Sequence, residues 1–443
     1  MSGSAESRKL AQIIAGLVAE GVDYVLVGED PNQLQQEIVG DVDIVVRSDT
    51  LEQISRIMRR VFDQCAVRCV QLFQHEFGAF YYVVAWLEEG DWRYLRIDIC
   101  ADYVRDARPL LSADALLESR QRDDATGYYV PVASRNFVYY LLKKIDKGAV
   151  NEEQFEQLCR MVDEEAEAYA RAELERFWPA EELESILRII RVGSFVSFKE
   201  KMPRLRMLLR KRCRPTLITM WREAGRIWRR IREPTGIWLV LYGPDGSGKT
   251  AVMKDLSAVL MPAFRRAQEY HFRPFVGYPP QDNSIPIADP QGKRPRHAVM
   301  SVLKLLYYWA DYVGGYWLKI RPGLTCSTLV VFDRYYDDLL VDQKRYRYGG
   351  PARLLKIVRR WVPRPHLLFA LDADPEILLA RKQELAPDEC ARQRALYRAV
   401  VEPLKHGYVI DVSKPLPDVV RSVQTHVLEY MADRMTQRMA IGK

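Results

Sequence analysis

The chain has 443 residues, 48% of them hydrophobic and 28% charged, enough for two or three domains with their own cores. No apolar run approaches the roughly 20 residues that span a bilayer, and the opening MSGSAESRKLAQ lacks an apolar signal core, so a cytoplasmic location is expected. The seven cysteines (Cys65, Cys69, Cys100, Cys159, Cys213, Cys326 and Cys390) are scattered, odd in number and without a CxxC pair. That pattern excludes a disulfide frame or zinc site and reads as reduced thiols.

Residues 1–148 alternate strand and helix signals. VDYVLVG (22–28) and GDVDIVV (40–46) read as strands. SDTLEQISRIMRRVF follows as a helix capped by Ser48 or Asp49, with Leu51, Ile54, Ile57 and Val61 at helical spacing. FYYVVAWLE and RYLRIDIC supply two more strands, and SRNFVYYLLKKIDKG reads as a helix closed by Gly148. Residues 149–233 read as a wholly helical connector. The net charge of +7 belongs to this segment: Arg188–Arg232 holds 15 Lys and Arg against Glu200 and Glu223, a local +13 that leaves −6 elsewhere. Its last helix is amphipathic, with Leu217, Met220, Trp221, Ala224, Trp228 and Ile231 on one face and Arg222, Arg226, Arg229 and Arg230 elsewhere. The expectation is that its tryptophans pack on a neighbouring domain. The rival readings are contact with an anionic membrane surface or with nucleic acid.

From residue 234 the strands GIWLVLYG, TLVVFDR, HLLFALDAD and GYVIDVS alternate with helices, the pattern of a parallel sheet wrapped by helices. Between the first of these strands and a helix stands GPDGSGKT, which fits GxxxxGK[ST]. Gly243, Asp245, Gly246, Ser247 and Gly248 would cradle the phosphates of ATP. Lys249 would reach the β- and γ-phosphates, and Thr250 would ligate Mg2+. A later strand delivers Asp333, to orient Mg2+ through water or take a proton, and Arg334, to hold an acceptor phosphate.

With DRYY (333–336), LDADPEILLARK (371–382) and ECARQRALYRAV (389–400), residues 236–443 resemble the thymidylate kinase branch of P-loop nucleoside monophosphate kinases. The resemblance implies a lid whose cations, here Arg381, Lys382, Arg392 and Arg394, close over the transferring phosphoryl group. On the acceptor side the likeness thins. Arg273 in YHFRPF is the phosphate partner expected there. Lys344, Arg345 and Arg347 form a cationic run suited to an anionic acceptor, and LKLLYYWADYVGGYW, aligned with the family's substrate-facing helix, is unusually aromatic.

In the N-terminal region Asp41 and Asp43 alternate with aliphatics, as does Asp98, which places each carboxylate on one strand face. Three converging carboxylates would repel unless metal sat among them. This layout, with Gly28 after the first strand, resembles the nucleotidyltransferase superfamily over residues 20–148, although Glu29 stands where that family usually has Ser. The resemblance implies divalent metal on Asp41, Asp43 and Asp98. Arg96 is the residue that would replace metal if it reached the cluster.

The chain thus reads as α/β, with a nucleotidyltransferase-like domain (1–148), a basic helical connector (149–233) and a thymidylate kinase-like P-loop domain (234–443). The expected activity is ATP- and Mg2+-dependent phosphotransfer to an anionic small acceptor such as a nucleotide or sugar phosphate, joined with nucleotidyl transfer. A homodimer is among the expected partners. The alternatives are a kinase acting on nucleic-acid ends and an NTP-gated protein without turnover.

Overall fold

A computed structural model describes residues 3–28, 31–38, 40–275, 294–382 and 385–441. The chain divides into two compact units, Met1–Arg229 with Met431–Lys443, and Arg230–Tyr430.

The first unit is built on a five-stranded mixed sheet. Its strands are β1 (Tyr24–Leu26), β2 (Val42–Val46), β3 (Arg68–Glu76), β4 (Ala79–Glu88) and β5 (Asp91–Cys100), in the order β1-β2-β5-β4-β3. Only β2 and β5 pair in parallel; the other neighbours are antiparallel. Alternation along the strands serves two cores. Tyr24, Leu26, Ile44 and Val46 join the cluster of helices α1 (Ala5–Ala19) and α2 (Ser48–Gln64). Val25, Val27 and Val45 join the cluster of α3 (Ala133–Lys147) and the helices after it. Gly148 closes α3 at φ 69°, the left-handed conformation glycine adopts without penalty. The capping expected at α2 does not occur. Arg47 occupies the cap position without a side-chain bond, because Asp49 already lies in the first turn, where its carboxylate accepts from the Thr50 amide at 2.6 Å.

Beyond α3 the chain is helical, as expected, and ends this stretch with α4 (Phe195–Arg212) and α5 (Leu217–Arg232). The expectation for α5 is overturned. None of its residues is buried, and Trp221 and Trp228 are 80% and 65% exposed.

The second unit holds five parallel strands: β6 (Ile237–Tyr242), β7 (Arg266–His271), β8 (Thr328–Asp333), β9 (Leu367–Asp372) and β10 (Gly407–Asp411), ordered β7-β8-β6-β9-β10. Every residue of β6, β8 and β9 is buried. Such near-continuous apolar runs are what a sheet covered on both faces requires. Flanking helices include α6 (Lys249–Leu260), α7 (Ala298–Gly315), α8 (Pro387–Val401) and the start of α9 (Leu416–Ile441). The last residues of α9 belong to the first unit, whose core takes Met435 and Met439.

Candidate active site

The phosphate loop links the central strand β6 to the N-terminus of α6. Gly246 and Gly248 hold φ of 87° and 79°. At Gly246 a Cβ would also meet the Leu378 carbonyl oxygen at 2.5 Å, whereas at Gly248 it would meet nothing, so Gly248 serves backbone conformation alone. The loop therefore presents amides at a helix N-terminus, the geometry that binds anions.

Lys249, in the first turn of α6, is buried and folds back on the loop. Its Nζ donates to the carbonyls of Gly243 and Pro244 at 2.9 and 2.8 Å and to Ser247 Oγ at 3.3 Å. These acceptors are neutral. Burial first, and the Arg334 charge second, push the ammonium down to about 8. An incoming phosphate would supply the missing negative charge.

Asp333 ends β8, which pairs in parallel with β6, so it arrives beside the loop. His271 Nδ1 lies 3.4 Å from Asp333 Oδ2. Burial opposes the Asp333 charge, but the His271 hydrogen bond and the Lys249 and Arg334 charges outweigh it and hold the carboxyl at about 2. Its Oδ1 is buried with no protein partner. An ionised, orphaned carboxylate oxygen and an exposed Thr250 hydroxyl fit the oxygen chemistry of hydrated Mg2+. Asp333 and Thr250 are the residues that would hold the ion.

Arg334 is buried at φ 68°, a conformation that costs a non-glycine residue about 1–3 kcal/mol and clusters at functional sites. Its guanidinium bonds to loop Asp245 and to Asp338 at 3.2 Å. Asp338 also accepts from Tyr346 and Tyr397. Burial works against the Asp245 charge, yet Arg334, Lys249 and Arg345 hold that carboxyl well below the usual range. Sequence reasoning missed His271, Asp338, Tyr346 and Tyr397. Only Asp338 carried a signal, standing one helical turn after Arg334.

The acceptor and lid cations divide. Arg345 Nη1 donates to the loop carboxylate Asp245 at 2.7 Å. Arg273 pairs with Asp311 at 3.1 Å and stacks over Phe275 and Tyr308. Lys344 is exposed. Of the cations expected at a lid, Arg381 is exposed at the end of helix Pro375–Arg381. Arg392 donates to Glu389 and to the Val341 carbonyl at 2.9 Å, and Arg394 pairs with Asp372 at 2.6 Å.

In the first unit the strands do gather the predicted carboxylates. Asp43 and Asp98 are direct partners across β2 and β5. Metal ligation by Asp41, Asp43 and Asp98 is nevertheless not what the side chains form. Arg96 Nε and the Tyr81 hydroxyl reach Asp41 at 3.1 and 2.8 Å, Lys143 Nζ reaches Asp43 at 2.5 Å, and His75 lies 3.4 Å from Asp98. Among the described residues no group of three His, Cys, Asp or Glu is placed to hold a metal ion. Lys143, on α3, carried no sequence signal for this role. Burial, with the Asp43 charge beside it, holds the Asp98 carboxyl well above the usual range. Glu29 lies outside the described residues.

Residues 241–423 match the model of the family described as thymidylate kinase. A thymidylate kinase of Xanthomonas campestris pv. campestris is 28% identical over 218 residues, which span 46% of this chain and 87% of the relative. A probable thymidylate kinase of Staphylothermus marinus is 28% identical over 208 residues, 45% of this chain and 99% of the relative. One from Pyrobaculum calidifontis is 26% identical over 204 residues, 44% and 98%. The C-terminal half of the chain is therefore thymidylate kinase-like, and its helix-flanked parallel sheet is consistent with a P-loop kinase fold.

Proposed function

We propose that the C-terminal unit transfers the γ-phosphoryl group of ATP to an anionic small acceptor. The observation that carries this reading is the meeting of Lys249, Asp333 and Arg334 at one glycine-rich loop, with the Asp333 oxygen left unpartnered. In the transfer, the bond from the γ-phosphorus to its bridging oxygen breaks, ADP leaves with the electron pair, and a bond forms to an acceptor oxygen. Bound Mg2+ would supply charge neutralisation of the phosphates. Asp333, held near 2, is too weak a base for efficient proton abstraction, so orienting the ion is the better of its two expected roles. Lys249 and the loop amides position the phosphates. Incubating the full chain with γ-labelled ATP, Mg2+ and a panel of nucleoside monophosphates and sugar phosphates tests the reading. Label found only in free phosphate with every acceptor would refute it.

For the first unit, the basic partners of Asp41 and Asp43 support a binding role for the nucleotidyltransferase-like layout over metal-dependent catalysis. Mn2+-dependent incorporation of a labelled nucleotide, abolished by Asp41→Asn, would reverse that preference.

The connector supports a second component: attachment to an anionic membrane surface through α5. Leu217, Ile218, Trp221 and Trp228 stand open to solvent, 65–86% exposed, and Arg222, Arg229 and Arg232 are exposed with them. Exposed Arg204, Arg210 and Lys211 of α4 add charge. Nucleic acid would satisfy the arginines but offers nothing to the aliphatic and indole surface, whereas a lipid interface takes both. No described helix is long and apolar enough to cross a membrane. Cosedimentation with phosphatidylglycerol vesicles, absent with phosphatidylcholine vesicles and weakened at least tenfold in Trp221→Ala/Trp228→Ala, is expected. Binding to a DNA duplex that survives those substitutions, with none to vesicles, would make the connector a nucleic-acid contact.

The exposed aliphatic side of α7, with Val299, Met300, Leu303 and Leu306, supports a homodimer through that helix. Sedimentation velocity reads it directly.

A further inference from the structure

The opposite side of α7 faces inward. Ser301, Lys304, Leu305 and Tyr308 line a narrow pocket that is completed by Arg296, Leu339 and the run Tyr346, Arg347 and Tyr348. Three of these side chains are cationic and none is acidic.

The two guanidinium groups are held in place by neutral acceptors. Arg296 Nη1 donates to the Tyr346 carbonyl at 2.8 Å, and Arg347 Nε donates to the Arg294 carbonyl at 3.0 Å. The Arg296 amide donates to the Arg347 carbonyl at 3.0 Å, tying the two residues together, and Arg347 itself sits at φ 53°. Lys304 Nζ lies 5.2 Å from the centre of the Tyr308 ring, a contact that steadies an ammonium without neutralising it. Burial, then the charges of Arg296, Arg273 and Arg347, push Lys304 down to about 8. Fixed cations that repel one another across a cavity cost the fold stability, and an anion among them repays it.

The cavity stands next to the transfer machinery. The Tyr346 hydroxyl donates to Asp338, the carboxylate that holds Arg334. Tyr346 also stacks on Phe272 with ring centroids 4.3 Å apart, and the following residue, Arg273, lies over Tyr308. The lining residues thus join the acceptor side of the site to the strand that delivers Asp333.

We infer that the acceptor carries a second anionic group, a phosphate or a carboxylate remote from the oxygen that is phosphorylated, and that Arg296, Lys304 and Arg347 bind it. This rests on the kinase reading above. It narrows the acceptor class to small molecules with two separated anionic groups. A monophosphate whose remainder is neutral would leave the three cations unanswered.

The test is calorimetry on the full chain with the phosphate loop saturated by ADP and Mg2+, using orthophosphate and malonate as probes. Wild type should bind at least one of them, whichever matches the group held. Lys304→Met and Arg347→Met should each weaken it at least tenfold while leaving ADP affinity unchanged. Binding that repays Lys304 takes up a proton when the pH lies above about 8, so affinity should fall as pH rises through that value. Lys304→Met should melt no lower than wild type, because it removes a repelled charge. Absence of binding by both probes, or binding indifferent to both substitutions, overturns the inference. Failure of ADP to bind would instead strike the kinase reading, and probe binding would still decide the cation cluster.

Discussion

Asp333 and Asp98 invite a direct comparison. Each ends or nearly ends a strand of its sheet, each has a histidine 3.4 Å away, and each keeps a buried carboxylate oxygen, Oδ1, without a protein partner. Their charge states diverge. Around Asp333 the neighbours are Lys249 and Arg334, and the carboxylate stays ionised. At Asp98 burial, with another acid, Asp43, beside it, outweighs the charge of Lys143 and drives the carboxyl toward its neutral form. An orphaned oxygen marks a ligand site only where the surrounding charges keep it ionised. The two sheets thus place similar carboxylates at similar positions, and the cations supplied by the next elements decide which of them is equipped for a metal ion.

Substitutions can break or sharpen this contrast. The largest effect is expected from Lys249→Ala, which removes the ammonium from the charge that moves in the reaction. Phosphotransfer should fall by roughly 1,000-fold while the Tm stays nearly unchanged, since the bonds lost go to neutral loop carbonyls. Turnover assays and melting curves read both. Next, Asp333→Asn should lower kcat by roughly 100-fold and weaken Mg2+-dependent ADP binding, whereas Asp41→Asn/Asp43→Asn should leave it intact. An equal loss in both variants would erase the distinction between the two sites.

Smaller effects follow. Arg381→Ala or Arg392→Ala should lower kcat by about tenfold with little change in ATP affinity, as for contacts that strengthen in the transition state. Nucleotide affinity should fall as pH rises through about 8, where Lys249 loses its proton in the free enzyme but keeps it against phosphate. The slightest change concerns stability. Because the folded Asp98 carboxyl binds its proton more tightly than the unfolded one, it withdraws stability as pH rises above the ordinary carboxylate range. Asp98→Asn should therefore melt at or above wild type at pH 7.5. A clear drop would mean that the charge is wanted there.

The parallel sheet was largely legible in the chain, because β6, β8 and β9 are buried on both faces and therefore read as unbroken apolar runs. Strand β7, RAQEYH, escaped: at the sheet edge it is mostly exposed and polar, so no hydrophobic pattern announces it. Strand β3 escaped as well, its alternation blurred by irregular pairing with β4. The loop residues were readable because their spacing is dictated by the phosphates. The partners Asp338, Tyr397 and His271 were not, since they meet only through tertiary packing from separate elements. The tryptophans of α5 show the opposite limit: amphipathic spacing identifies a face but says nothing about what covers it.

Helix α9 starts in one unit and finishes in the other, with Met435 fully buried and Met439 nearly so in the first unit's core. The first unit is therefore assembled from two stretches of chain separated by the whole of the second unit. A nascent chain leaving the ribosome cannot complete that core until the second unit has been synthesised and Met435 and Met439 have emerged. Chain termination or proteolysis just after Tyr430 would spare every residue of the phosphate loop yet open an apolar gap beneath the other sheet. Loss of residues 431–443 should then surface as aggregation of the N-terminal unit, a failure that assays of phosphotransfer alone would overlook.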